Sequence, residues 1–378
     1  MEFDTSKEEK FRKGIREFLA KEVEPHVDEL DRKGEFPWLG WNALKKKGLL
    51  GYPIPKKWGG AGGSFLEYTI AVEEVSRIWA ALGTSHEVHV TLCQETLNLF
   101  ASDEIKEKYL MPLARGEKIG AFALTEPNAG TDAASIETTA RLSGDKWVLN
   151  GRKFFITNGP VADIFVVFAM TDRSMGARGM SAFVVPRNTL GFKVGKVFSK
   201  MGIWASPTAE LILEDVHIPK ENLINDEGEG FKIAMKILDL GRIGIAAQAV
   251  GIAQAALEYS IRHATRREQF GRPISNLQAI QWMVAEMASR IESARLLTYR
   301  AAYCAETQEV FSKEASMAKL MASDTAVDVT RYAIQIHGGY GYMKDLPLER
   351  FYRDAKITEI YEGTSEVQKM VIANALMR

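Results

Sequence analysis

Two cysteines in 378 residues, Cys93 and Cys304, leave no disulfide framework and no metal or redox spacing. They fit a reduced, intracellular setting. Six histidines are scattered, and the pair His86/His89 lacks a third ligand nearby, so no metal site is expected. Neither sign of charge is in excess: Lys+Arg number 48 and Asp+Glu 49, for a net charge of −1. That balance gives no reason to expect nucleic acid or an anionic membrane as partner. No basic segment followed by an apolar one opens the chain, so no signal peptide is visible. A cytoplasmic protein is expected, or a matrix protein if a transit peptide has been removed. The longest weakly polar run, 243–257, is interrupted by Gln248 and Gln254 and is too short for a membrane span. Its Ala and Gly content reads as a closely packed, buried helix. Also missing are a P-loop, H-E-x-x-H, G-x-S-x-G, and a G-x-G-x-x-G after a predicted strand.

What is present is an ordinary globular composition, 46% hydrophobic and 26% charged, with length for two or three domains. Residues 1–120 read as a helical domain. Thr5 and Glu8 suggest a capping box for a first helix, and Pro25 bends or interrupts it. A Gly/Pro loop covers 53–63, and helical periodicity returns over 68–78, 84–100 and 104–113. Residues 121–228 change to short β-branched and aromatic runs at 138–142, 147–149, 153–156, 164–171, 182–185, 192–197 and 209–213. Turns are predicted at 143–146 and at Asn150-Gly151, a strong hairpin signal. A small β barrel or sandwich is expected there. Residues 229–378 return to long helices, over 231–240, 243–265, 277–305, 312–337 and a terminal one. Four of these predict an antiparallel bundle. The fold class is therefore α+β and multidomain, with a β domain between two helical ones.

The stretch 353–366 carries the sharpest functional signal. Ile357, Ile360 and Tyr361 make an apolar face that Gly363 breaks, and Ser365 with Gln368 suggests a capping box opening the terminal helix. Glu362 then lies directly before a helix N-terminus. It reads either as a dipole-complementing surface residue or as a carboxylate base held in a cleft. Four further stretches place small and polar residues in apolar settings: Phe122-Ala-Leu-Thr-Glu-Pro-Asn-Ala-Gly-Thr-Asp132, Phe154-Phe-Ile-Thr-Asn-Gly159, Arg267-Glu-Gln-Phe-Gly271 and Gln335-Ile-His-Gly-Gly-Tyr-Gly341.

Together these motifs resemble the acyl-CoA dehydrogenase family, over nearly the whole chain and in the right order. Leu238 to Ala246 and Ile357 to Glu366 look most like its short-chain, butyryl-type members. The resemblance implies FAD as cofactor, an acyl-CoA substrate dehydrogenated to the trans-2-enoyl thioester, electron-transfer flavoprotein as electron acceptor, and a homotetramer built as a dimer of dimers. It implies that Glu362 is the α-proton base while a hydride passes from the β-carbon to flavin N5. In the family the thioester oxygen is held by the N–H of this glutamate and a flavin ribityl hydroxyl. Residues matching cofactor positions are Phe122, Leu124, Thr125, Thr131, Phe155, Thr157, Arg267, Phe270, Gln335, Gly339, Thr364 and Glu366. Gln335 and Gly339 match positions that reach the cofactor from a neighbouring subunit. Thr131, Asp239, Arg242, Tyr361 and Gly363 match substrate positions.

Relatives that carry the base on the substrate helix place it just before the arginine; here that residue is Gly241, which leaves Glu362 as the base. No arginine occurs between Arg77 and Arg115, against a decarboxylating glutaryl type. Ser85, His86, Glu87 and His89 lie on the helix that lines the acyl pocket in relatives. They are expected to face solvent; otherwise they imply a cyclic, aromatic or carboxylated acyl group. An oxygen-reactive oxidase or monooxygenase, or a non-catalytic scaffold on the same fold, are the alternative readings.

Overall fold

A computed structural model describes residues 6–377. The proposed Thr5 cap lies outside the described residues. The first helix, Ser6–Glu22, gives way to a 3-10 turn, Glu24–His26, with Pro25 in its first turn. The helix Phe65–Ile78 opens on a reciprocal cap between Ser64 and Glu67. Further along it, Glu73 and Glu74 are buried carboxylates. Arg12 and Arg295 pair with Glu73 at 2.9 and 3.0 Å, and Arg16 and Arg77 with Glu74 at 2.9 and 3.0 Å. These ion pairs tie the N-terminal helices to the helix Gln278–Thr307 of the C-terminal bundle. Next comes Ala80–Glu87, a π-helical segment Val88–Gln94, and Glu95–Phe100. Every residue from 80 to 97 is buried.

The middle of the chain is one sheet of eight strands. They are β1 (Gly120–Ala123), β2 (Thr139–Ser143), β3 (Lys146–Thr157), β4 (Ile164–Met170), β5 (Met180–Pro186), β6 (Phe192–Val197), β7 (Thr208–Pro219) and β8 (Leu223–Ile224). The order is β6-β7-β3-β2-β4-β5-β8, with β1 parallel to β4. β2 and β3 form the hairpin predicted at 143–146, pairing Ser143 with Lys146.

Asn150-Gly151 is not a turn. It lies inside β3 as a bulge, because the residues flanking it pair with β2 and β7 rather than with each other. The Asn150 side chain holds the bulge by bonding Asp215 of β7 twice, at 3.0 and 2.8 Å. A Cβ on Gly151 would stand 2.3 Å from Thr138 Oγ1, so only glycine fits.

The C-terminal region is built on one 37-residue helix, Gly230–Arg266, where two helices were expected. Glycine weakens helix propensity but does not end a helix packed on several sides. Gly241 and Gly244 stay helical within an almost wholly buried stretch. This helix is long and apolar enough to cross a membrane, but 94% of its apolar window is buried by the rest of the fold. Helices Gln278–Thr307 and Ser312–His337 pack on it and on each other, Ser365–Leu376 packs on Ser312–His337, and the short helix Leu348–Lys356 packs on both Ser312–His337 and the long helix.

One buried pair fixes the loop leaving β1. Lys153 of β3 is fully buried and reaches Glu126 Oε1 at 2.7 Å and Leu124 O at 3.0 Å. Glu126 also accepts the N–H groups of Glu137 and Thr138. Burial pulls the Lys153 ammonium down to about 8, against the attraction of Glu126. Lys153→Met strands the Glu126 carboxylate and is expected to cost about 3–5 kcal/mol in urea unfolding. Adding Glu126→Leu is expected to recover part of that loss; a double variant no more stable than the single would refute the pairing as its source.

Candidate active site

Glu362 sits in a tight loop between the 3-10 turn Ile357–Glu359 and the helix Ser365–Leu376. It adopts φ +55°, and Gly363 follows at +94°. A left-handed glutamate is uncommon and must be held by its surroundings. Here three donors hold the loop carbonyls. Lys319 Nζ donates to Gly363 O at 2.7 Å and Gln368 Nε2 to the same oxygen at 2.8 Å. Arg242 Nε and Gln368 Nε2 both approach Glu362 O at 3.4 Å. No acceptor among the described residues takes the Glu362 N–H. The helix cap differs from the expected one: Thr364, not Ser365, is the N-cap, its side chain accepting from the Val367 N–H. Gln368 is unavailable for a capping box because the loop carbonyls recruit its amide.

The Glu362 carboxyl faces inward. Its Oε2 is out of solvent contact and has no hydrogen-bond donor among the described residues. A Cβ on Gly241 would lie 2.0 Å from that oxygen, so the missing side chain on the long helix makes the space that Glu362 fills. Burial raises the Glu362 carboxyl above the ordinary carboxylate range. The nearness of the Glu87 carboxyl and the charges of Lys319 and Arg242 oppose that rise. Arg242 is itself oriented by Asp239 at 2.6 Å, whose other oxygen takes the Ser312 hydroxyl. Tyr361 reaches into the interior and donates to Gln248, whose amide donates to Thr84 at 2.7 Å.

Two predicted β-domain motifs lie side by side. The Phe154 N–H donates to Thr125 O at 2.8 Å, which brings Leu124 and Thr125 next to Phe155 and Thr157. Phe155 holds φ +57° and is 62% exposed, its ring 5.0 Å from that of Phe198. An exposed aromatic on a strained backbone beside small polar residues fits the flat face of a flavin. Phe122 lies in the core beneath them, against Phe168, and not on the exposed surface. Thr131 is exposed in the loop after Glu126, and Thr364 and Glu366 stand at the start of the terminal helix.

The remaining predicted residues are elsewhere. Arg267, Gln335 and Gly339 line a cavity of about 550 Å³, together with His263 and His337, whose rings stack at 4.2 Å. Phe270 is 90% exposed, with φ +54°. Arg267 ends the long helix, 26 residues beyond Gly241, which at 1.5 Å per residue is roughly 39 Å away. Within one chain, therefore, Arg267 and Glu362 do not face the same ligand.

The helix Ala80–Glu87 and the π segment after it correct one expectation. Ser85, His86, Glu87 and His89 are fully buried, not solvent-facing. The scaffold takes one nitrogen of each histidine, while His86 Nδ1 and His89 Nε2 have no partner among the described residues. His86 Nε2 bonds Leu49 O at 2.8 Å, and His89 Nδ1 accepts the Gly120 N–H at 3.0 Å. Burial lowers them to about 4 and about 3, so both are neutral rings pinning this helix to its neighbours. Ser85 bonds Ser206 at 3.1 Å. Glu87 turns instead toward Gly244 of the long helix, three residues from the Gly241 space that Glu362 fills.

Sequence reasoning did not assign Lys319, Gln368, Lys153 or Glu126 to the site. Lys319 had a readable signal, a lone cation on the Ala315/Ala318/Ala322 face of an otherwise apolar stripe. The other three carry none without the tertiary contacts.

Comparison with known proteins agrees along the whole chain. Family models for the N-terminal, middle and C-terminal domains of acyl-CoA dehydrogenases match residues 5–117, 121–216 and 228–377. The chain is 51% identical to the short-chain-specific acyl-CoA dehydrogenase of Clostridium acetobutylicum, with all of both chains aligned. The structure of butyryl-CoA dehydrogenase from Megasphaera elsdenii superposes with a TM-score of 0.97 at 46% identity, covering both chains fully. A chain in a structure described as the electron transferring flavoprotein of Acidaminococcus fermentans matches at 0.98 and 48%, again over both full lengths. With the three domains matched in order and the buried glutamate of the C-terminal loop in place, the chain belongs to the acyl-CoA dehydrogenase family.

Proposed function

We propose that this enzyme dehydrogenates short, compact acyl-CoA thioesters between the α and β carbons, with Glu362 as the base. The observation that carries this reading is Glu362 Oε2, out of solvent contact and without a donor among the described residues, on a turn whose own N–H meets no acceptor among them. An α C–H beside a thioester is a weak acid, so it needs a positioned base shielded from bulk water. The Glu362 carboxylate takes that proton. Its N–H is free to donate to the thioester oxygen where negative charge develops, with Lys319, Gln368 and Arg242 holding the loop carbonyls. FAD is the cofactor, and when bound it supplies the acceptor for the β-hydride. Leu124, Thr125, Phe155 and Thr157 would hold its ring, and Thr364 and Glu366 its distal end. Behind Glu362, Tyr361, Gln248 and Thr84 are bonded to one another, as are Tyr68 and Thr91 at 2.9 Å. That packed floor supports a short acyl chain. Electron-transfer flavoprotein is the proposed acceptor, in keeping with the similarity to the chain from the Acidaminococcus structure.

The roughly 39 Å between Gly241 and Arg267 supports a site shared between chains. Arg267, Phe270, Gln335 and Gly339 would then serve the cofactor held by a second copy, within a dimer-of-dimers tetramer.

Three outcomes follow. Glu362→Gln is expected to lose about 10²–10⁴-fold in turnover while keeping its flavin absorbance; near-normal turnover would remove Glu362 as base. Because position 241 abuts the Glu362 carboxyl, moving the base there needs room: Glu362→Gly with Gly241→Glu is expected to regain measurable activity over Glu362→Gly alone. For the shared site, Glu362→Gln chains are unfolded and refolded together with Arg267→Glu chains. Random pairing should restore about one quarter of wild-type activity, since half the dimers are mixed and each has one intact site. No recovery above the separate variants would place both residues in one chain's site.

A further inference from the structure

Glu87 is the one fully buried carboxyl that the proposed reaction does not use and that faces its base. It ends the helix Ala80–Glu87, immediately before the π-helical segment Val88–Gln94. π-Helical insertions are frequent at functional sites. Both Glu87 oxygens are out of solvent contact without a donor among the described residues, as is Glu362 Oε2. Unpartnered buried oxygens are costly, and two such groups placed face to face as carboxylates would repel.

The long helix builds this pairing. A Cβ on Gly244 would lie 2.8 Å from Glu87 Oε1, and one on Gly241 would lie 2.0 Å from Glu362 Oε2. Two glycines three residues apart, about 4.5 Å along the axis, thus seat two carboxyls next to each other. The surrounding charges are uneven. Lys319 from the helix Ser312–His337 and Arg242 from the long helix act on Glu362, and no cation acts on Glu87. The other titratable groups facing the pair are Tyr68, from the helix Phe65–Ile78, and Tyr361, both held neutral by burial. Glu95, beyond the π segment, acts on Tyr68 but not on the pair. One proton shared between the two carboxyls pairs a Glu87 oxygen with Glu362 Oε2, and the cations assign the negative charge to Glu362.

We propose that Glu87 is a positioning acid for the catalytic base: as a neutral carboxylic acid it donates its O–H to the Glu362 carboxylate, aims that carboxylate, and sets the pH at which it accepts the α-proton. This rests on Glu362 being the base. It also accounts for the polar run at 85–89: Ser85, His86 and His89 bond the scaffold, and Glu87 bonds the base. Burial pushes the Glu87 carboxyl well above the usual range, with the Glu362 charge adding to the rise, which is the direction the proposal requires. The donated bond pulls Glu362 downward, so without it the base would hold its proton to higher pH.

The test measures kcat/KM for butyryl-CoA against pH in the holoenzyme, with Glu87→Leu and Glu87→Gln. Leucine removes the donor, so the acidic limb should move up by about one unit, the scale of a hydrogen bond to a charged group. Glutamine keeps an N–H donor and should leave the limb within about 0.3 unit of wild type. A limb that moves down in Glu87→Leu would mean that Glu87 carries negative charge, and an unmoved limb that it does not touch the base; either overturns the proposal. Turnover in Glu87→Gln as low as in Glu362→Gln would make Glu87 a base in its own right and also overturn it. A second readout needs neither turnover nor a correct substrate. Near neutral pH, the infrared difference spectrum of wild type minus Glu87→Gln should contain a protonated-carboxyl band. A carboxylate band in its place overturns the proposal even where no acyl-CoA is oxidised, which separates its failure from failure of the functional reading.

Discussion

The site depends on one steric constraint: a carboxyl has been brought into the interior against a helix that has no side chain to meet it. At Gly241 any Cβ would lie 2.0 Å from Glu362 Oε2. The Gly230–Arg266 helix gives up propensity at its glycines, and that loss is offset by burial on nearly every face. What it gains is a groove deep enough to hold an acidic side chain away from water. Desolvation then favours proton uptake by Glu362, while Lys319 and Arg242 keep it ionisable. A base poised in this way can take a weakly acidic proton and release it again.

The loop that carries Glu362 is held from outside, not by its own conformation. Its two successive left-handed residues persist because Lys319, Gln368 and Arg242 anchor the carbonyls. The β domain uses the same device, with Lys153 and Glu126 anchoring the loop after β1 beside the strained Phe155. Phe155, Phe270 and Glu362 are three of the seven described non-glycine residues with positive φ. All three lie in stretches singled out for their small and polar residues. Strain and candidate chemistry therefore coincide, as expected where the surroundings impose a conformation that the local sequence would not choose.

The same long helix separates as well as supports. Its C-terminal end carries Arg267 to a second cavity, roughly 39 Å from Gly241, where Gln335 and Gly339 also lie. In the proposed function these are two halves of a cofactor site at opposite ends of one rod. The halves become one site only when a second copy supplies the missing half, which makes association a requirement of cofactor binding in the proposed function.

Local patterns in the sequence determined the three-part α–β–α order, the hairpin at 143–146, the helix Ser312–His337 to its end residues, and Glu362 before a terminal helix. Each is written in neighbouring residues: periodicity, turn chemistry, or a motif read along the chain. What only the tertiary structure decided was pairing at a distance. Asn150-Gly151 has the composition of a turn, yet it became a bulge because β2 and β7 claimed its flanks. Thr364 capped the last helix because Gln368 was drawn to the Glu362 loop. His86 and His89 went inward to backbone groups of Leu49 and Gly120, and Glu87 to the Gly244 face of the long helix. The backbone partners of His86 and His89 lie 37 and 31 residues away in the chain, and the proposed partner of Glu87 lies 275 away. No local pattern encodes such contacts. They follow from which buried polar atoms the packed core leaves within reach of one another.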